Sequence, residues 1–444
     1  MKKKLFIISL LSISVVSLFV LNKAVNQDAI TVYYTTDLHS HFTNNLKEFT
    51  KSINHEKSLL LDAGDITDIQ TEDDAEWSSG YKEYGPTEER IGSIVEKIAE
   101  PESGTAPVIK DMQNAGYDAA IIGNHEFMQS SDKTFISQFI EQKDKNSFPF
   151  LSANTYYNKK YIKKSSDERV TKPYIIKNLK TKFGTVKVGV IGVTTNTIFD
   201  RDELVNGKLI KNDEVLLQNG DLWKGKMYMT DMVEESIKVS KELKEKENPD
   251  VIVLVAHSGE KPKKPKHSGN RLQELAAKVP NIDLIIGGHT HEFIDNHEYK
   301  GPNGKKVVVT QSGCHAKGIG ESKIKISKDN DKFVVKSVNA KNIKFEIDEN
   351  DIEDSNFAES EKGFELMEKN AFNEKKYNEL KKENPNVKIR FTIISKKKIT
   401  LPNNIGNYQI DSVHKDEKDD IYIYYLFSED YKVYKYLIDK YIEY

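Results

Sequence analysis

The sequence predicts an α/β fold in which β-sheets are covered by helices. Two observations support this class. Several short apolar, β-branched runs each end at a polar or glycine cluster, which is typical of buried strands. Patterns with helical periodicity lie between several of these runs, and alternating strands and helices favour sheets packed under helices. With 444 residues, the chain has room for one large core domain plus a smaller one, or for two to three average domains.

The predicted elements follow one another along the chain. Strands are predicted over residues 30–36, 58–61, 119–122, 186–193, 251–256, 284–286 and 307–310. Helices are predicted over residues 90–99, 108–115, 229–247 and 271–278. Two polar insertions, 72–84 and 261–267, are interpreted as loops. The second contains Lys-Pro-Lys-Lys-Pro-Lys, and it is either a solvated loop or one that steers phosphate toward a site.

The character of the sequence changes beyond about residue 346. A highly charged helix is predicted over 359–382, strands over 388–401 and 421–427, and a Tyr- and Lys-rich helix over 431–444. We therefore predict a main domain over residues 30–345, followed by a small α+β region of unknown role over residues 346–444.

Residues 1–29 have the pattern of an export signal. Met1-Lys2-Lys3-Lys4 is positively charged, residues 5–21 are apolar residues and serines, and Asn22-Lys23-Ala24 restores polarity. The small-residue cleavage pattern is poor and the apolar run is near the lower limit for a spanning helix, so an uncleaved anchor is the alternative. We expect an exported protein, extracellular, at the cell surface or periplasmic, that meets a membrane only through this segment if it is uncleaved.

The charge balance and cysteine content exclude two classes. The chain carries 66 basic and 69 acidic residues, and its formal net charge is -3. This near-neutral balance gives no sign of an electrostatic grip on nucleic acid, so no nucleic acid polymer is expected as a partner. The single cysteine, Cys314, excludes a disulfide within one chain.

Five short motifs place candidate metal ligands directly after predicted strands. They are Asp37-Leu38-His39, Gly64-Asp65, Gly123-Asn124-His125-Glu126, His257, and Gly288-His289-Thr290-His291. Strand ends in α/β folds meet at one edge of a sheet, so these side chains can converge on one cavity. A lone Asp-x-His or Gly-Asp is weak evidence, whereas the whole set in this order is very hard to reach by chance.

The ligand set predicts two metal ions. Two carboxylates, one amide oxygen and four imidazoles are supplied by Asp37, Asp65, Asn124, His39, His257, His289 and His291. Mixed nitrogen and oxygen ligands without thiolate suit Zn²⁺, Mn²⁺ or Fe. This number of ligands is too large for one ion and suits two divalent ions that share a bridging carboxylate.

Together, the five motifs resemble the calcineurin-like metallophosphoesterase superfamily, and within it the bacterial 5′-nucleotidase/2′,3′-cyclic phosphodiesterase branch. Softer similarities are Ser152-Ala153-Asn154, Lys172-Pro173-Tyr174 and the strand over 187–193, and the resemblance extends over about residues 30–345. It implies a four-layer αββα sandwich, in which two packed sheets have helices outside, with the C-terminal region as an extension.

The resemblance also implies a role for each residue. One ion would be held by Asp37, His39, Asp65 and His291. The other would be held by Asp65, Asn124, His257 and His289. Asn124 would also bind substrate, and His125 would stabilise the transition state or protonate the leaving oxygen. The two cations would polarise the phosphoryl oxygens and lower the pKa of a bridging water toward about 7, and the resulting hydroxide would attack phosphorus.

Two features depart from that branch. An Asp commonly follows the Gly-Asn-His-Glu-Phe run there and orients the catalytic His, whereas Met128 is at that position here and Asp132 is a candidate substitute. The branch usually carries a large second domain that stacks the nucleotide base, and only residues 347–444 follow here. The chemistry is therefore better supported than the nucleotide specificity.

We expect an exported dinuclear-metal phosphoesterase that hydrolyses nucleotides, with a small-molecule phosphoester as its partner. One alternative is a phosphodiesterase that acts on cyclic nucleotides or other phosphoesters. Another is a metal-stabilised surface binding protein with little turnover. His41 and His315 are interpreted as ordinary structural residues, with a place beside the site as the alternative for each.

Overall fold

The computed structural model describes residues 27–68, 70–71, 82–83, 93–96, 105–128, 135–141, 147–205, 208–219, 223–261, 269–346, 374–383, 389–402, 406–416 and 421–441. The predicted export signal lies outside these ranges up to residue 26, and its last two residues, Asp28 and Ala29, instead begin the first strand of the structure. Most of the loops predicted over 72–84 and 261–267 also lie outside the described ranges. Among the residues that are described, no helix has the length and apolar character needed to cross a membrane.

The strands of the main region are β1 (Asp28–Thr35), β2 (Ser58–Asp62), β3 (Lys82–Glu83), β4 (Ser93–Glu96), β5 (Ala119–Ile121), β6 (Phe150–Leu151), β7 (Thr155–Tyr157), β8 (Glu168–Arg169), β9 (Tyr174–Thr181), β10 (Gly184–Thr194), β11 (Thr197–Val205), β12 (Lys208–Leu216), β13 (Met227–Met229), β14 (Val251–His257), β15 (Leu284–Gly287), β16 (Phe293–Lys300), β17 (Lys306–Ser312), β18 (Gly318–Asp329) and β19 (Lys332–Lys344). The C-terminal strands are β20 (Ile389–Ser395), β21 (Tyr408–Asp416) and β22 (Ile421–Ser428).

The α-helices are α1 (Asn44–Lys51), α2 (Pro107–Ala115), α3 (Asn124–Met128), α4 (Lys159–Ile162), α5 (Met232–Lys246), α6 (Leu272–Lys278), α7 (Glu374–Glu383) and α8 (Tyr431–Tyr441). Residues Ile136–Ile140 form a π-helical turn, and Leu217–Asn219 and Pro302–Gly304 form 3-10 turns.

One six-stranded sheet is built around β1, β2 and β5. Its strand order is β19-β18-β1-β2-β5-β6. The strands from β1 to β6 in this order are parallel, while β18 pairs antiparallel with β1 and β19 antiparallel with β18. Parallel strands end at the same edge, so the segments that follow β1, β2 and β5 emerge side by side.

A second six-stranded sheet has the order β16-β17-β15-β14-β10-β9. Its four central strands are parallel, and β9 and β16 pair antiparallel at the two edges. Every residue of β14 and β15 is buried, which explains why these strands are continuous apolar runs rather than alternating ones. The segments after β14 and β15 again emerge together.

Alternate residues of the two sheets meet in one shared apolar cluster. Val32 and Leu59 of the first sheet and Val190, Val253 and Ile286 of the second belong to it, and all are almost completely buried. Burying each such side chain stabilises the fold by about 1.5–3 kcal/mol. This shared cluster fixes the two sheets against each other, so that both sets of strand ends can supply one site.

The opposite faces of the sheets pack against helices. Leu60 of β2 lies in a cluster with Leu46 of α1 and Ile109 of α2. Leu254 of β14 lies in another cluster, with Leu243 of α5 and Leu275 of α6. The central strands β2, β14 and β15 are therefore buried on both faces.

The C-terminal elements form a third sheet with its own core. The strand order is β21-β22-β20-β4-β3, so two short strands from residues 82–96 join the C-terminal strands. Phe391, Tyr424, Leu426 and Leu437 are buried together in this cluster. The strand predicted over 421–427 is confirmed, whereas the one predicted over 388–401 ends at Ser395. Helices α7 and α8 occupy parts of the predicted helical stretches.

Two predictions about helices need correction. Residues 93–96 form a strand, not part of a helix over 90–99, because β20 offers its backbone as a pairing partner and this overrides local propensity. The helix predicted over 229–247 begins at Met232, since the Asp231 side chain accepts the N–H groups of Val233 and Glu234 and so caps it there.

The predicted strands of the main region are all confirmed, but several others were missed. β19 is rich in lysine and largely exposed, and glycine, serine and lysine interrupt the apolar residues of β18, so neither strand has the apolar run that marked the buried strands. β19 forms the edge of its sheet, where charged side chains also discourage pairing with other chains.

Candidate metal centre

The predicted ligands lie at the ends of strands from both large sheets. The segments after β1, β2 and β5 carry Asp37, His39, Asp65 and Asn124. His257 is the last residue of β14, and His289 and His291 follow β15. Because these strand ends face one another, the structure brings all of the predicted ligands to one place.

One half of the site is centred on His257. Its Nε2 atom lies 3.0 Å from Asp65 Oδ2 and 3.0 Å from Asn124 Oδ1. The ring of His289 lies 5.2 Å from that of His257, and the ligand atoms of Asp65, His257 and His289 are within 4.8 Å of one another. A carboxylate, an amide oxygen and two imidazoles can therefore reach one ion.

The other half is centred on His39 and His291. Their Nε2 atoms are 3.0 Å apart, and His291 Nε2 is 3.5 Å from Asp37 Oδ1. His39, Asp65 and His125 also present ligand atoms within 4.8 Å of one another. Asp65 thus belongs to the groupings in both halves, as a bridging carboxylate would.

Hydrogen bonding prepares His257 to be a ligand. Its Nδ1 atom donates to the carbonyl oxygen of Ala63 at 2.8 Å. In the neutral imidazole this leaves the lone pair on Nε2, which is the atom that faces Asp65 and Asn124. The side chain is fully buried, so its orientation is fixed by the protein interior.

The charges of the site call for a cation. Burial raises the pKa of Asp65, but the charges of His257 and His125 outweigh burial and hold it well below its ordinary value. Burial lowers the pKa of His257, but Asp65 and then Asp37 outweigh it and raise the pKa to about 10. Without a cation, protons on the imidazoles balance the buried carboxylates, and metal binding would displace those protons.

The net pKa shift has the opposite sign at His289 and His291, where burial outweighs the attraction of the carboxylates. Burial lowers the pKa of His289 to about 3, helped by the charge of His257. It also lowers the pKa of His291 to about 4, helped by His39. Both rings are neutral at pH 7, which is the form that binds a metal.

Several ligand residues have an unusual backbone conformation. The φ angles of Asp37, His39, Asp65, His289 and His291 are 51°, 45°, 56°, 76° and 56°. Residues other than glycine rarely adopt this left-handed region, and each such residue costs about 1–3 kcal/mol. Strain concentrated at these positions is typical of a site where side chains must point in dictated directions.

The backbone of the site is held by a ladder of hydrogen bonds between two loops. Asp37 N–H donates to the carbonyl of Gly64 at 2.8 Å, and His39 N–H donates to that of Asp65 at 3.0 Å. Both carboxylate oxygens of Asp37 accept the N–H of His289 at 3.0 Å. The loops after β1, β2 and β15 are thereby joined.

Two glycines are required by close approaches. Gly64 has a φ of +98°, and a Cβ there would lie 2.8 Å from His257 Nδ1. A Cβ on Gly123 would lie 2.2 Å from Asp65 Oδ1. These positions explain why glycine precedes both Asp65 and Asn124 in the motifs.

Glu126 has a supporting role that the sequence did not reveal. It is fully buried, and its carboxylate accepts the N–H groups of Asp65, Ile66, Thr67 and Gly123 at 2.7–3.1 Å. It therefore fixes the loop that presents Asp65. The Gly-Asn-His-Glu motif contained this residue, but three of its four partners, Asp65, Ile66 and Thr67, lie about sixty positions earlier in the chain.

His125 lies beside the ligands and is partly accessible. Its backbone N–H donates to Asp65 Oδ1 at 2.8 Å, and its side chain is 24% exposed. Burial lowers its pKa, but the charge of Asp65 and the interaction with Asp68 outweigh burial and raise it to about 9. In this environment the ring can hold a proton at the edge of the site. Asp132 lies outside the described residues.

His315 is also brought into the site. Its ring centroid lies 5.4 Å from that of His39 and 5.5 Å from that of His291, and the ligand atoms of the three lie within 4.8 Å of one another. The ring of His41 is 4.9 Å from that of His315. The alternative that placed both residues beside the site was the better one.

Fold and site together define a metal-dependent phosphoesterase. The profile of the calcineurin-like phosphoesterase family matches residues 30–293. The chain belongs to this family of metal-dependent phosphoric ester hydrolases.

The most similar known proteins include bacterial nucleotidases. The chain is 31% identical to a 5′-nucleotidase of Vibrio parahaemolyticus over 283 residues, which cover 62% of this chain and 41% of that one. It is 26% identical to a 2′,3′-cyclic-nucleotide 2′-phosphodiesterase/3′-nucleotidase of Haemophilus influenzae over 271 residues, which cover 60% of this chain and 33% of that one. The chain thus spans less than half of the length of these relatives.

A solved structure shares the fold. The crystal structure of the calcineurin-like phosphoesterase YfkN from Bacillus subtilis aligns with a TM-score of 0.53 and 21% sequence identity. The alignment covers 78% of this chain and 100% of that one.

Proposed function

We propose that this chain hydrolyses nucleotides and related small phosphoesters at a site that holds two divalent cations. The observation that supports this most is the position of Asp65, which shares one group of ligand atoms with His39 and another with His257 and His289. The relatives named above as nucleotidases support the substrate class.

We propose the following division of ligands. One cation is held by Asp37, His39, Asp65 and His291. The other is held by Asp65, Asn124, His257 and His289. Three pairs of nitrogen and oxygen donor atoms from these residues lie about 3 Å apart. Such atoms repel one another unless a proton or a cation lies between them, which supports this division of ligands. Zn²⁺, Mn²⁺ and Fe all suit these donors.

When bound, such cations supply Lewis-acid polarisation of the phosphoryl oxygens and make water a nucleophile at neutral pH. The protein residues perform the other tasks. Asn124, in a nearly closed environment, presents its amide beside the reacting phosphate. His125 carries a proton at the rim and delivers it to the departing oxygen, which avoids an unstable alkoxide.

The architecture and location are also proposals. We propose that the two sheets and their helices form the four-layer αββα arrangement, which the three apolar clusters support. We propose residues 30–345 as the catalytic domain and residues 346–444 as a C-terminal extension. The positive and apolar pattern of residues 1–29 supports export.

A hydrolysis assay tests the proposed function. The purified protein is incubated with nucleoside monophosphates, a 2′,3′-cyclic nucleotide and a simple phosphomonoester, with Mn²⁺ or Zn²⁺ added or chelated. We expect metal-dependent turnover that His125→Ala lowers by about 10²–10⁴-fold. The control is Asp329→Asn, which changes an exposed carboxylate at the end of β18. No turnover of any of these substrates by metal-loaded protein would refute the proposal.

The same assay distinguishes a second candidate. The Haemophilus relative is named as a 2′,3′-cyclic-nucleotide 2′-phosphodiesterase/3′-nucleotidase, and this name supports cyclic phosphodiesters as the second candidate substrates for the present chain. A kcat/KM for the cyclic nucleotide above that for every monophosphate would select this candidate.

A further inference from the structure

The ring of His125 needs support from outside its own helix. Helix α3 has only five residues, Asn124–Met128, and the His125 side chain is partly exposed. Its Nδ1 atom is buried, and it makes no well-aligned hydrogen bond among the described residues. A ring held only by its backbone samples several rotamers, and a proton donor must be held in one direction to be effective.

Met128 occupies the position on helix α3 that lies three residues after His125. Residues three positions apart on a helix are neighbours on its surface, so a carboxylate at 128 could reach the ring of residue 125. The residue there is Met128, whose thioether is a weak acceptor. Support for His125 must therefore come from another segment.

The structure supplies a carboxylate from the loop after β2. Asp68 Oδ2 lies 3.4 Å from His125 Nδ1 and 3.6 Å from His39 Nδ1. The Asp68 side chain is only 12% exposed, so water competes weakly for it. Distances of this size in a site without substrate are common for catalytic pairs, which tighten when the substrate is bound.

The loop that carries Asp68 is braced. The backbone N–H of Asp68 donates to Ser40 Oγ at 3.0 Å, and the Ser40 hydroxyl donates to the backbone carbonyl of Asp68. Gln70 Nε2 donates to Asp68 Oδ2 at 2.7 Å. Ser40 thus fixes the backbone of Asp68, and Gln70 holds its carboxylate where it meets the two imidazoles.

We propose that Asp68 is the positioning residue for His125 in phosphoester hydrolysis. The inference rests on the proposed function. Asp68 accepts a hydrogen bond from the Nδ1–H group of His125, which keeps the Nε2–H group directed at the oxygen that leaves the phosphorus. When the P–O bond breaks, that oxygen takes the Nε2 proton, and Asp68 stays ionised throughout. The carboxylate thus comes from the loop after β2, while helix α3 carries only the imidazole.

The test uses two substrates that differ in leaving group. A nucleoside monophosphate releases a poor alkoxide and depends on protonation, whereas p-nitrophenyl phosphate releases a stable phenolate and depends on it little. For Asp68→Asn, we expect kcat on the nucleotide to fall by about 10–100-fold, with a clearly smaller fall on p-nitrophenyl phosphate. KM and the number of bound ions, measured by mass spectrometry, should be unchanged. Asp329→Asn, an exposed carboxylate at a strand end, is the control.

A second variant moves the carboxylate. In Asp68→Asn/Met128→Asp, the helix itself offers an acceptor at the three-residue spacing, and we expect most of the nucleotide kcat to return. An equal loss on both substrates, loss of an ion, or unchanged kcat in Asp68→Asn would overturn the proposal. If the wild-type protein cleaves no phosphoester, the proposed function fails instead. If His125→Ala shows the leaving-group effect and Asp68→Asn does not, only the role of Asp68 fails.

Discussion

Glu126→Gln would test whether the loop that presents Asp65 depends on one buried carboxylate. Oε2 of Glu126 accepts the N–H groups of Asp65 and Gly123, and Oε1 accepts those of Ile66 and Thr67. Glutamine has nearly the same shape but replaces one acceptor oxygen with an NH₂ group. Whichever way the amide is turned, two buried N–H groups then face a donor.

The cost follows from that count. A buried N–H that loses its acceptor costs about 1–3 kcal/mol, so two of them cost about 2–6 kcal/mol. Domains are typically stable by only about 5–15 kcal/mol, so this loss is a large fraction of the total. The loop would also relax, and the affinity for metal should fall with it, because Asp65 joins both halves of the site.

Guanidinium unfolding of the chelated protein, followed by near-ultraviolet circular dichroism, measures the free energy of unfolding. Metal content measured by mass spectrometry reports on the site. The control is Glu245→Gln on an exposed face of α5, where we expect a change below about 0.5 kcal/mol. A Glu126→Gln protein within about 0.5 kcal/mol of the wild type would refute the reasoning.

Three further predictions concern the surroundings of the site. His315→Ala should lower the affinity for one of the two proposed ions by about tenfold in a chelator competition titration, and an unchanged affinity would exclude contact between His315 and that ion. Burial holds the pKa of Asp62 well above its ordinary value, so the carboxyl group of Asp62 binds its proton more tightly in the folded chain than in the unfolded chain. The metal-free protein therefore loses stability as the pH rises above the unfolded pKa of about 3.9. Asp62→Asn should therefore stabilise the chain more at pH 8 than at pH 5 in urea unfolding, and an equal effect at both would contradict this. Gly64→Ala should lower the free energy of unfolding by about 1–3 kcal/mol, since its Cβ would strike His257, and the thermal midpoint should fall with it. An unchanged midpoint would contradict this.

Sequence reasoning was able to place the ligands because each follows a strand that is recognisable by itself. The apolar run of β14 ends at His257, and that of β15 ends just before His289. A local rule, that parallel strands end at one edge, was then sufficient to bring these positions together. Nothing about the distant parts of the chain was needed.

The supporting residues could not be found in this way. Glu126 and Asp68 act on groups about sixty residues away in the chain, and no periodicity connects them. Asp132, the substitute considered from the sequence, lies outside the described residues, and among those described the Asp68 carboxylate from the loop after β2 approaches His125. The strand over 93–96 was mistaken for a helix for the same reason, because its partner β20 follows almost three hundred residues later.

The antiparallel pairing of β1 with β18 has a consequence for biosynthesis. Asp28 pairs with Ile326 and Tyr34 with Gly320, so one edge of β1 waits for a segment close to 300 residues downstream. At about 5–20 residues per second, a ribosome leaves that edge open for roughly 15–60 s. During this time the unpaired backbone N–H and C=O groups along that edge of β1 offer a template for pairing with a neighbouring nascent chain. The nascent chain is therefore prone to intermolecular pairing at β1 until β18 emerges and occupies that edge.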